Sequence, residues 1–238
     1  DGSKIRMLAC DRLRPGLVRQ LPNLELIQKL GAGVDTMLSD PDLHDHIRIT
    51  RLKHATTAME MARFCLAHVL KDVHNIDFHR EQQHKRVWET RVPKRVTDLG
   101  IGVLGLGHIG AAVAKLFADA GFRVSGWSRT RKSLEGITCL WGKQQLKVLL
   151  AGADYVVSML PSTPETVDLF DIALFRTMKP ESVLINVGRG TLVVEEDLVQ
   201  ALDSGFLRGA VLDVFHNEPL PADSPLWHHP GIIITPHV

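Results

Sequence analysis

Three charged or titratable side chains follow separate apolar runs in the second half of the chain. Arg189 stands between two glycines, Glu218 precedes a proline, and His237 follows a Thr-Pro pair. Arginine offers a fork of donors that binds a carboxylate and polarises a carbonyl group, and histidine carries a proton near neutral pH. A carboxylate beside the histidine orients the imidazole and favours its charged form. Together these residue types predict acid-base chemistry at a carbonyl group.

Each of the three also has a plainer interpretation. Arg189 fits a turn, Glu218 fits an exposed loop, and His237 is one of twelve histidines. Ligands of parallel α/β sheets bind beyond the carboxyl ends of the strands, however. Each of these residues comes after a run that is typical of a buried strand, so their position favours the functional interpretation.

A glycine-rich stretch at 101–110 supplies a second kind of chemistry. It reads Ile-Gly-Val-Leu-Gly-Leu-Gly-His-Ile-Gly, with Gly105, Gly107 and Gly110 in the spacing of a dinucleotide-binding turn. The first glycine permits a tight turn, the second lets backbone approach a pyrophosphate, and the third lets helix pack closely on strand. Ordinary loops also carry glycines at this spacing, so the interpretation depends on the flanking elements.

The flanking sequence has those elements. From Ile109 onward apolar residues recur at helical spacing, Gly121 is placed to end the helix, and residues 122–127 are typical of a strand. Amides of His108 and Ile109 would then lie at the helix N-terminus, where the helix dipole favours an anion. The pattern predicts a complete β-α-β unit with a pyrophosphate site.

The residues after the second strand indicate the choice of cofactor. NAD-specific folds usually place a carboxylate there to bind the ribose hydroxyls, but residues 122–134 contain none. Ser128, Arg129 and Arg131 stand there instead and suit a 2′-phosphate, although three solvated surface residues would look the same. We predict NADP(H) as the preferred cofactor, with NAD(H) possible.

Strands and helices alternate along most of the chain, which predicts an α/β fold with a doubly wound parallel sheet. Predicted strands cover residues 4–9, 24–30, 122–127, 155–160, 182–187, 209–214 and 232–235 as well as the run at 101. Predicted helices cover residues 55–75, 172–178 and 195–202 and the segment that begins at Ile109.

Composition excludes several classes of protein. The chain has 238 residues, 45% of them apolar, and a net charge of +1, which gives no general reason to expect nucleic acid or a membrane as a partner. Three cysteines, odd in number and far apart, argue against a disulfide framework and a zinc site, so we expect no metal. The chain opens with no signal peptide, and we expect a cytoplasmic protein.

A basic segment at 79–95 marks the expected domain boundary. It contains six lysines and arginines with Trp88 among them. Such a segment can contact nucleic acid, but a short run is more often a solvated linker or a subunit contact. We therefore predict one domain over residues 1–92 and a dinucleotide-binding domain over residues 93–238.

The whole set of motifs resembles the D-2-hydroxyacid dehydrogenases, in particular the NADP-dependent glyoxylate/hydroxypyruvate reductases, over nearly the full chain. The matching stretches are residues 31–35, 105–110, 127–132, 160–166, 186–190, 212–215, 218–219 and 235–237. The resemblance implies a Rossmann-type domain and a second, incomplete flavodoxin-like α/β substrate domain.

The resemblance also implies roles for residues. Arg189, Glu218 and His237 would form the catalytic triad, with His237 giving a proton to the oxo group while NADPH delivers hydride. The amides of Ala32 and Gly33 would hold the substrate carboxylate together with Arg189. The implied nucleotide contacts are Leu160, Pro161, Thr166, Val187 and Asp213.

Further expectations concern assembly and the chain ends. Trp88 resembles a tryptophan that reaches the partner's site in the family's homodimer, and Arg63 stands where many relatives carry glutamate. Relatives also have structure before Lys4 and a helix after His237, so we expect this chain to bind NADPH but to reduce 2-oxo acids poorly until such segments are added.

Two functions remain open on the sequence. The first is NADPH-dependent reduction of a small 2-oxo acid to the D-2-hydroxy acid. The second is a non-catalytic dinucleotide sensor or corepressor-like module on the same scaffold, since corepressors of this fold resemble the enzymes even at the triad. The sequence leaves the identity of the 2-oxo acid open.

Overall fold

The computed structural model describes residues 1–52 and 54–238. The chain divides into two compact units, Asp1–Ala55 and Thr56–Val238. This division places the long central helix with the second unit. The predicted functional boundary between residues 92 and 93 stays a prediction.

The first unit is a small parallel sheet with a core of its own. Strands β1 (Met7–Cys10), β2 (Leu26–Lys29) and β3 (Arg48–Arg51) pair in that order, and helix α1 (Asp35–Leu38) follows β2. The core consists of Val18, Leu21, Leu24, Ile27, Met37 and Ile47. The first strand begins later than the residue 4 expected from the sequence, because Gly2–Lys4 form a 3₁₀ turn.

The second unit contains a seven-stranded parallel sheet in the order β6-β5-β4-β7-β8-β9-β10. Its strands are β4 (Gly100–Leu104), β5 (Arg123–Ser128), β6 (Thr138–Trp141), β7 (Tyr155–Ser158), β8 (Ser182–Asn186), β9 (Leu207–Leu212) and β10 (Ile232–Ile234). Its helices are α2 (Ala55–Val73), α3 (Ile76–Lys85), α4 (His108–Asp119), α5 (Gly142–Gly152), α6 (Ile172–Phe175) and α7 (Glu195–Asp203). The strand order reverses between β4 and β7, and the α/β class with two parallel sheets is confirmed.

Burial on both faces explains the sequence of the central strands. Every residue of β4, β7 and β8 is buried, so these strands are continuous apolar runs rather than alternating ones. One face of the sheet packs on α5, α6 and α7, and the other packs on α2 and α4. The carboxyl ends of the strands therefore form an edge that both layers of helices support.

Helix α2 packs on the sheet through buried residues spaced three or four apart, and an ion pair also joins it to the sheet. Its buried residues are Ala58, Ala62, Cys65, Val69 and Val73. Near its end, Asp72 accepts two hydrogen bonds from the guanidinium of Arg208 in β9, at 2.8 and 2.6 Å, and one of 2.6 Å from the hydroxyl of Tyr155 in β7. This bidentate pair joins the helix to two strands of the sheet.

Four elements differ from the sequence expectation. The basic segment begins as a helix, α3, which runs to Lys85 before the chain becomes irregular, and its role as a linker or a subunit contact stays a prediction. The sequence of α3 has no continuous apolar stripe, and accordingly none of its residues is buried. Strands β3 and β6 and helix α5 were not predicted; each of the two strands has only four residues.

None of the helices in the described residues is long and apolar enough to cross a membrane.

Candidate active site and nucleotide-binding loop

The glycine loop, residues 105–110, lies at the switch point of the large sheet. Gly105 has φ +98°, and its amide donates to the Trp127 carbonyl at 2.8 Å. A Cβ on Gly110 would lie 1.8 Å from the Gly105 carbonyl oxygen, so helix and turn approach too closely for any side chain. A Cβ on Gly107 would meet no atom within 4 Å. The first and third glycines thus have the backbone roles that their spacing predicts, and open space faces the second.

Helix α4 begins directly after this open space. Gly107 is its N-cap, and its carbonyl accepts the first helical bond from the Ala111 amide at 2.9 Å. The amides of His108 and Ile109 have no carbonyl partner inside the helix, because the first turn of any helix lacks one. An anion at Gly107 would therefore meet amide groups and the positive end of the helix dipole.

The loop after β7 lies on the other side of the switch point. Met159 donates its amide to the Leu104 carbonyl at 2.8 Å, which brings the ends of β4 and β7 together. Leu160 is buried and Pro161 is exposed. The Thr166 hydroxyl donates to the Pro161 carbonyl at 2.7 Å and accepts from the Thr163 amide at 2.8 Å. Thr166 thus fixes the shape of its own loop beside the predicted nucleotide site.

The basic residues expected to choose the cofactor stand at the end of β5, next to β4 in the sheet. Ser128 is buried, and its hydroxyl donates to the Thr130 carbonyl at 2.7 Å. Arg129 and Arg131 are exposed. The pKa of the Glu165 carboxyl is lowered, mainly by a hydrogen bond from Thr163 and also by the charge of Arg129. Arg129 therefore lies near the loop that follows β7.

The structure brings His237 and Glu218 into contact. Nδ1 of His237 lies 2.7 Å from Oε2 of Glu218, and Oε1 of the same carboxylate accepts from the Phe215 amide at 3.1 Å. The side chains are 48% and 29% exposed, so a small molecule can reach the imidazole. A carboxylate on Nδ1 leaves Nε2 as the ring nitrogen that can exchange a proton with a ligand.

Asp213, buried at the end of β9, fastens the segment that carries His237. Its Oδ1 accepts from the Thr235 hydroxyl at 2.6 Å and from the Val238 amide at 3.1 Å. The Asp213 amide in turn donates to the Asn186 carbonyl at the end of β8, at 3.1 Å. One carboxylate therefore sets the position of the residues on both sides of His237.

Arg189 is held by close backbone packing and by Asn186. The Asn186 amide group donates to the Arg189 carbonyl at 2.9 Å, and its Oδ1 accepts from the Gly188 amide at 3.2 Å. A Cβ on Gly188 would lie 2.7 Å from the Leu160 carbonyl oxygen, and one on Gly190 would lie 1.9 Å from the Phe215 carbonyl carbon. Both glycines are needed for packing. They bring the Arg189 turn against the loop after β7 and against the segment that holds Glu218.

Sequence reasoning assigned no role to Asn186 or Thr235. Asn186 is the last residue of β8 and is buried, and Thr235 follows β10 directly. The rule that selected Arg189 and His237, namely a polar residue after a buried strand, also selects these two. Val187, the residue after Asn186, is also buried.

Helix α2 contributes two further groups near Asp213. Burial, with a smaller effect of the Asp213 charge, raises the pKa of the Cys65 thiol to about 12, so this thiol stays protonated. Burial lowers the pKa of His68, partly offset by the same aspartate. Nδ1 of His68 is buried and has no hydrogen-bond partner among the described residues. Neither residue was expected from the sequence to lie near this site.

Ala32 and Gly33 belong to the first unit. They follow β2 and are half-buried, and the guanidinium of Arg51 in β3 donates to the Ala32 carbonyl at 3.0 Å. Lys29, the last residue of β2, is buried and pairs with Asp11. The turn is thus held by a hydrogen bond from the neighbouring strand.

Two residues singled out by the resemblance lie on the surface. Trp88 is fully exposed in the segment after α3. Arg63 forms an ion pair with Glu60, three residues earlier on α2. Arg63 is therefore engaged in a local surface pair.

Comparison with a protein-family profile matches residues 66–238 to the NAD-binding domain of D-isomer specific 2-hydroxyacid dehydrogenases. A glyoxylate/hydroxypyruvate reductase A from Enterobacter sp. (strain 638) is 38% identical over 221 residues, which cover 91% of this chain and 71% of that protein. The profile match, residues 66–238, spans the glycine loop and all three residues of the predicted triad.

Two solved structures are similar to this one. A D-isomer specific 2-hydroxyacid dehydrogenase from Xanthobacter autotrophicus Py2, in complex with NADPH and MES, is 40% identical with a TM-score of 0.94, covering 100% of this chain and 75% of that one. An NADPH-dependent glyoxylate/hydroxypyruvate reductase from Sinorhizobium meliloti, in complex with NADP and sulfate, is 33% identical with a TM-score of 0.94, covering 98% and 75%.

Proposed function

The chain belongs to the D-isomer specific 2-hydroxyacid dehydrogenase family, and from that premise we propose that it reduces a small 2-oxo acid, of the glyoxylate or hydroxypyruvate type, to the D-2-hydroxy acid. NADP(H) is the proposed cofactor. The observation that carries the proposal is the 2.7 Å contact between Glu218 and His237, at the strand-end edge that also carries the glycine loop.

The nucleotide fits the residues around Gly107. The space in front of this glycine is one that a Cβ would fill, and the amides of His108 and Ile109 point to an anion there. When bound, NADPH supplies the hydride for the oxo carbon. Ser128, Arg129 and Arg131 would hold its 2′-phosphate, while Leu160, Pro161 and Thr166 would line the nucleotide site.

The triad residues divide the remaining work. Glu218 accepts a hydrogen bond from Nδ1 of His237, so that Nε2 carries the proton that the oxo oxygen receives. Arg189 binds the substrate carboxylate and polarises the carbonyl group, since its planar fork suits both tasks. Asp213 and the Val187 carbonyl would meet the nicotinamide end.

Within the first unit, the amides of Ala32 and Gly33 are a proposed carboxylate-binding turn. Amides that follow a strand in a glycine-rich turn suit a small carboxylate. The hydrogen bond from Arg51 to the Ala32 carbonyl holds the turn in shape.

The test is a panel of 2-oxo acids with NADPH and with NADH. We expect glyoxylate and hydroxypyruvate to consume NADPH, with kcat/KM for NADPH above that for NADH. Tight NADPH binding with no turnover of any 2-oxo acid would instead favour a dinucleotide sensor.

Cofactor preference has a separate test. Replacing both Arg129 and Arg131 by alanine should weaken NADPH binding by more than about tenfold, which is about 1.4 kcal/mol, and leave NADH binding within about twofold. Lys132→Ala is the control, because it removes a neighbouring positive charge that we assign no phosphate contact. Equal losses for NADPH and NADH would contradict the proposed preference.

We also propose a homodimer in which the partner subunit covers Trp88. The Trp88 side chain is fully exposed, and aromatic residues are enriched at subunit interfaces. Light scattering should give the mass of a dimer for the native chain. The Trp88→Ala variant should dissociate to monomers at a higher protein concentration. A native monomer would contradict this assembly.

A further inference from the structure

Trp141 lies beside the predicted 2′-phosphate residues. Strands β5 and β6 run parallel in register, with Trp141 opposite Ser128. Trp141 is the last residue of β6 and the N-cap of α5, and it is 40% exposed. A large aromatic side chain is thus open to solvent at the end of β6, beside the end of β5. The family motifs assign no function to this side chain.

Hydrogen bonds fix the backbone at Trp141. Its amide donates to Oε1 of Gln145 at 2.7 Å, and the indole of Trp127 in β5 donates to the Gly142 carbonyl at 2.8 Å. The Trp127 bond ties the start of α5 to β5 directly after Trp141, and the Gln145 bond caps the helix. These bonds hold the backbone that carries the Trp141 ring.

The ring contacts one of the two predicted phosphate-binding arginines. The guanidinium carbon of Arg131 lies 5.2 Å from the centroid of the Trp141 ring, within the range of a cation–π contact. Arg129 has a different environment, since its charge acts on Glu165 in the loop after β7. Arg131 thus has an aromatic neighbour, whereas Arg129 has an acidic one.

We propose that Trp141 is a positioning residue for NADP(H) specificity, which holds the Arg131 guanidinium at the end of β5 ready for the 2′-phosphate. This inference rests on the proposed NADP(H) preference. A free arginine loses rotamer entropy when it binds a phosphate, whereas an arginine already held on a ring loses less. NADH has no 2′-phosphate, so the contact favours NADPH alone.

The experiment measures dissociation constants of NADPH, NADH, adenosine 2′,5′-bisphosphate and AMP for the native protein and for Trp141→Ala. We expect weaker binding of the two 2′-phosphorylated ligands, by about two- to fivefold, with NADH and AMP changed by less. Trp141→Phe should restore most of the affinity because it keeps an aromatic face. Trp227→Ala, which removes another half-exposed tryptophan, should change none of the four.

Equal losses for AMP and the bisphosphate would overturn the proposal, since they would mean that the ring contacts the adenine instead. A double-mutant cycle gives a second readout. In Arg131→Ala the further change Trp141→Ala should cost almost nothing, and additive losses would also overturn the proposal.

The cycle also separates this inference from the proposed cofactor preference. If Arg129→Ala/Arg131→Ala loses NADPH selectively but Trp141→Ala has no effect, only the role of Trp141 is wrong. If the double arginine variant affects both cofactors equally, the preference itself is wrong.

Discussion

The two ends of the candidate site in the second unit are built differently. The glycine loop is shaped by backbone: a left-handed turn at Gly105, a contact that admits no side chain at Gly110, and open space at Gly107. The reaction end is shaped by side chains from three strand ends, with Glu218 on His237 and Asp213 on Thr235. The first end depends on residues within one short stretch, and the second depends on contacts between distant ones.

Because of this difference, substitutions at the two ends should change different properties of the protein. At Gly110 a single added methyl group can disturb the fold of the glycine loop, because packing leaves no room for it there. The reaction end has space around the exposed imidazole, so substitutions there should change rate before they change the fold. Substitutions at the two ends should therefore separate binding, turnover and stability.

The largest expected effect is on turnover at the reaction end. His237→Asn keeps a polar side chain but removes the proton donor, so kcat should fall by about 10²–10⁴-fold while NADPH affinity stays within about twofold. Steady-state kinetics with glyoxylate and titration with NADPH measure the two quantities. His216→Asn is the control, since that histidine is exposed and lies two residues from Glu218. Near-normal turnover of the His237 variant would remove it from the mechanism.

The next effect contrasts two glycines of one loop. Gly110→Ala should destabilise the fold by about 1–3 kcal/mol or more, because its Cβ would lie 1.8 Å from the Gly105 oxygen. Gly107→Ala should leave the melting temperature nearly unchanged but weaken NADPH by at least about tenfold, since its Cβ occupies the space for the pyrophosphate. Thermal unfolding without cofactor and NADPH titration distinguish them. Normal NADPH affinity in Gly107→Ala would mean that the pyrophosphate lies elsewhere.

The sequence predicted the glycine loop well because its geometry is local. The spacing of Gly105, Gly107 and Gly110, together with the strand and helix patterns directly beside it, predicts a turn and a helix start within one short stretch. The acid-base pair was also predicted, since Glu218 and His237 have the right chemistry after buried strands. Their 2.7 Å separation needed the structure, because the two residues are nineteen positions apart along the chain.

What the sequence did not predict depends on neighbours that are distant in the chain. Asn186 and Thr235 have roles only through bonds to Arg189 and Asp213. Helix α3 was not predicted, because its residues are mostly polar or charged and none of them is buried. It keeps its helical form with a local pair between Lys85 and Glu81, which adds only a few tenths of a kcal/mol.

A smaller effect tests how the reaction end is held. Thr235→Val removes the 2.6 Å hydrogen bond to Asp213 while keeping the shape of the side chain. The segment with His237 should loosen, and kcat should fall by about tenfold, within the 10²-fold that a displacement of about 1 Å can cost. NADPH affinity should change little.

The matched control for Thr235→Val is Thr177→Val. The Thr177 hydroxyl, just after α6, also forms a 2.7 Å bond, which it donates to the Leu174 carbonyl within α6, and it is remote from His237 in the chain. Turnover of this variant should be normal. If both variants lose activity equally, the hydrogen bond to Asp213 has no special part in positioning the histidine.

The smallest effect concerns a pair that we assign to neither end. Burial disfavours the charged form of Asp72, but hydrogen bonds from Arg208 and Tyr155 outweigh it, so its pKa lies below the usual 3.8. Asp72→Asn should cost about 1 kcal/mol of stability at neutral pH, a modest value because both side chains of the pair are 37% exposed and screened by solvent. Turnover and NADPH affinity, corrected for the folded fraction, should stay within about twofold.

The pH dependence of this last effect has a definite sign. A carboxylate with a lowered pKa in the folded state stabilises the protein above its unfolded pKa, and that contribution disappears as pH falls through the folded value. Denaturant titrations measure the difference in unfolding free energy between the native chain and Asp72→Asn. This difference should be constant from about pH 6 to 8 and shrink below about pH 4. Asp77→Asn, which breaks the more exposed pair with Lys71, should show almost no difference at any pH. A gap that widened in acid would mean that Asp72 is destabilising when charged, and that packing alone holds α2 to the sheet.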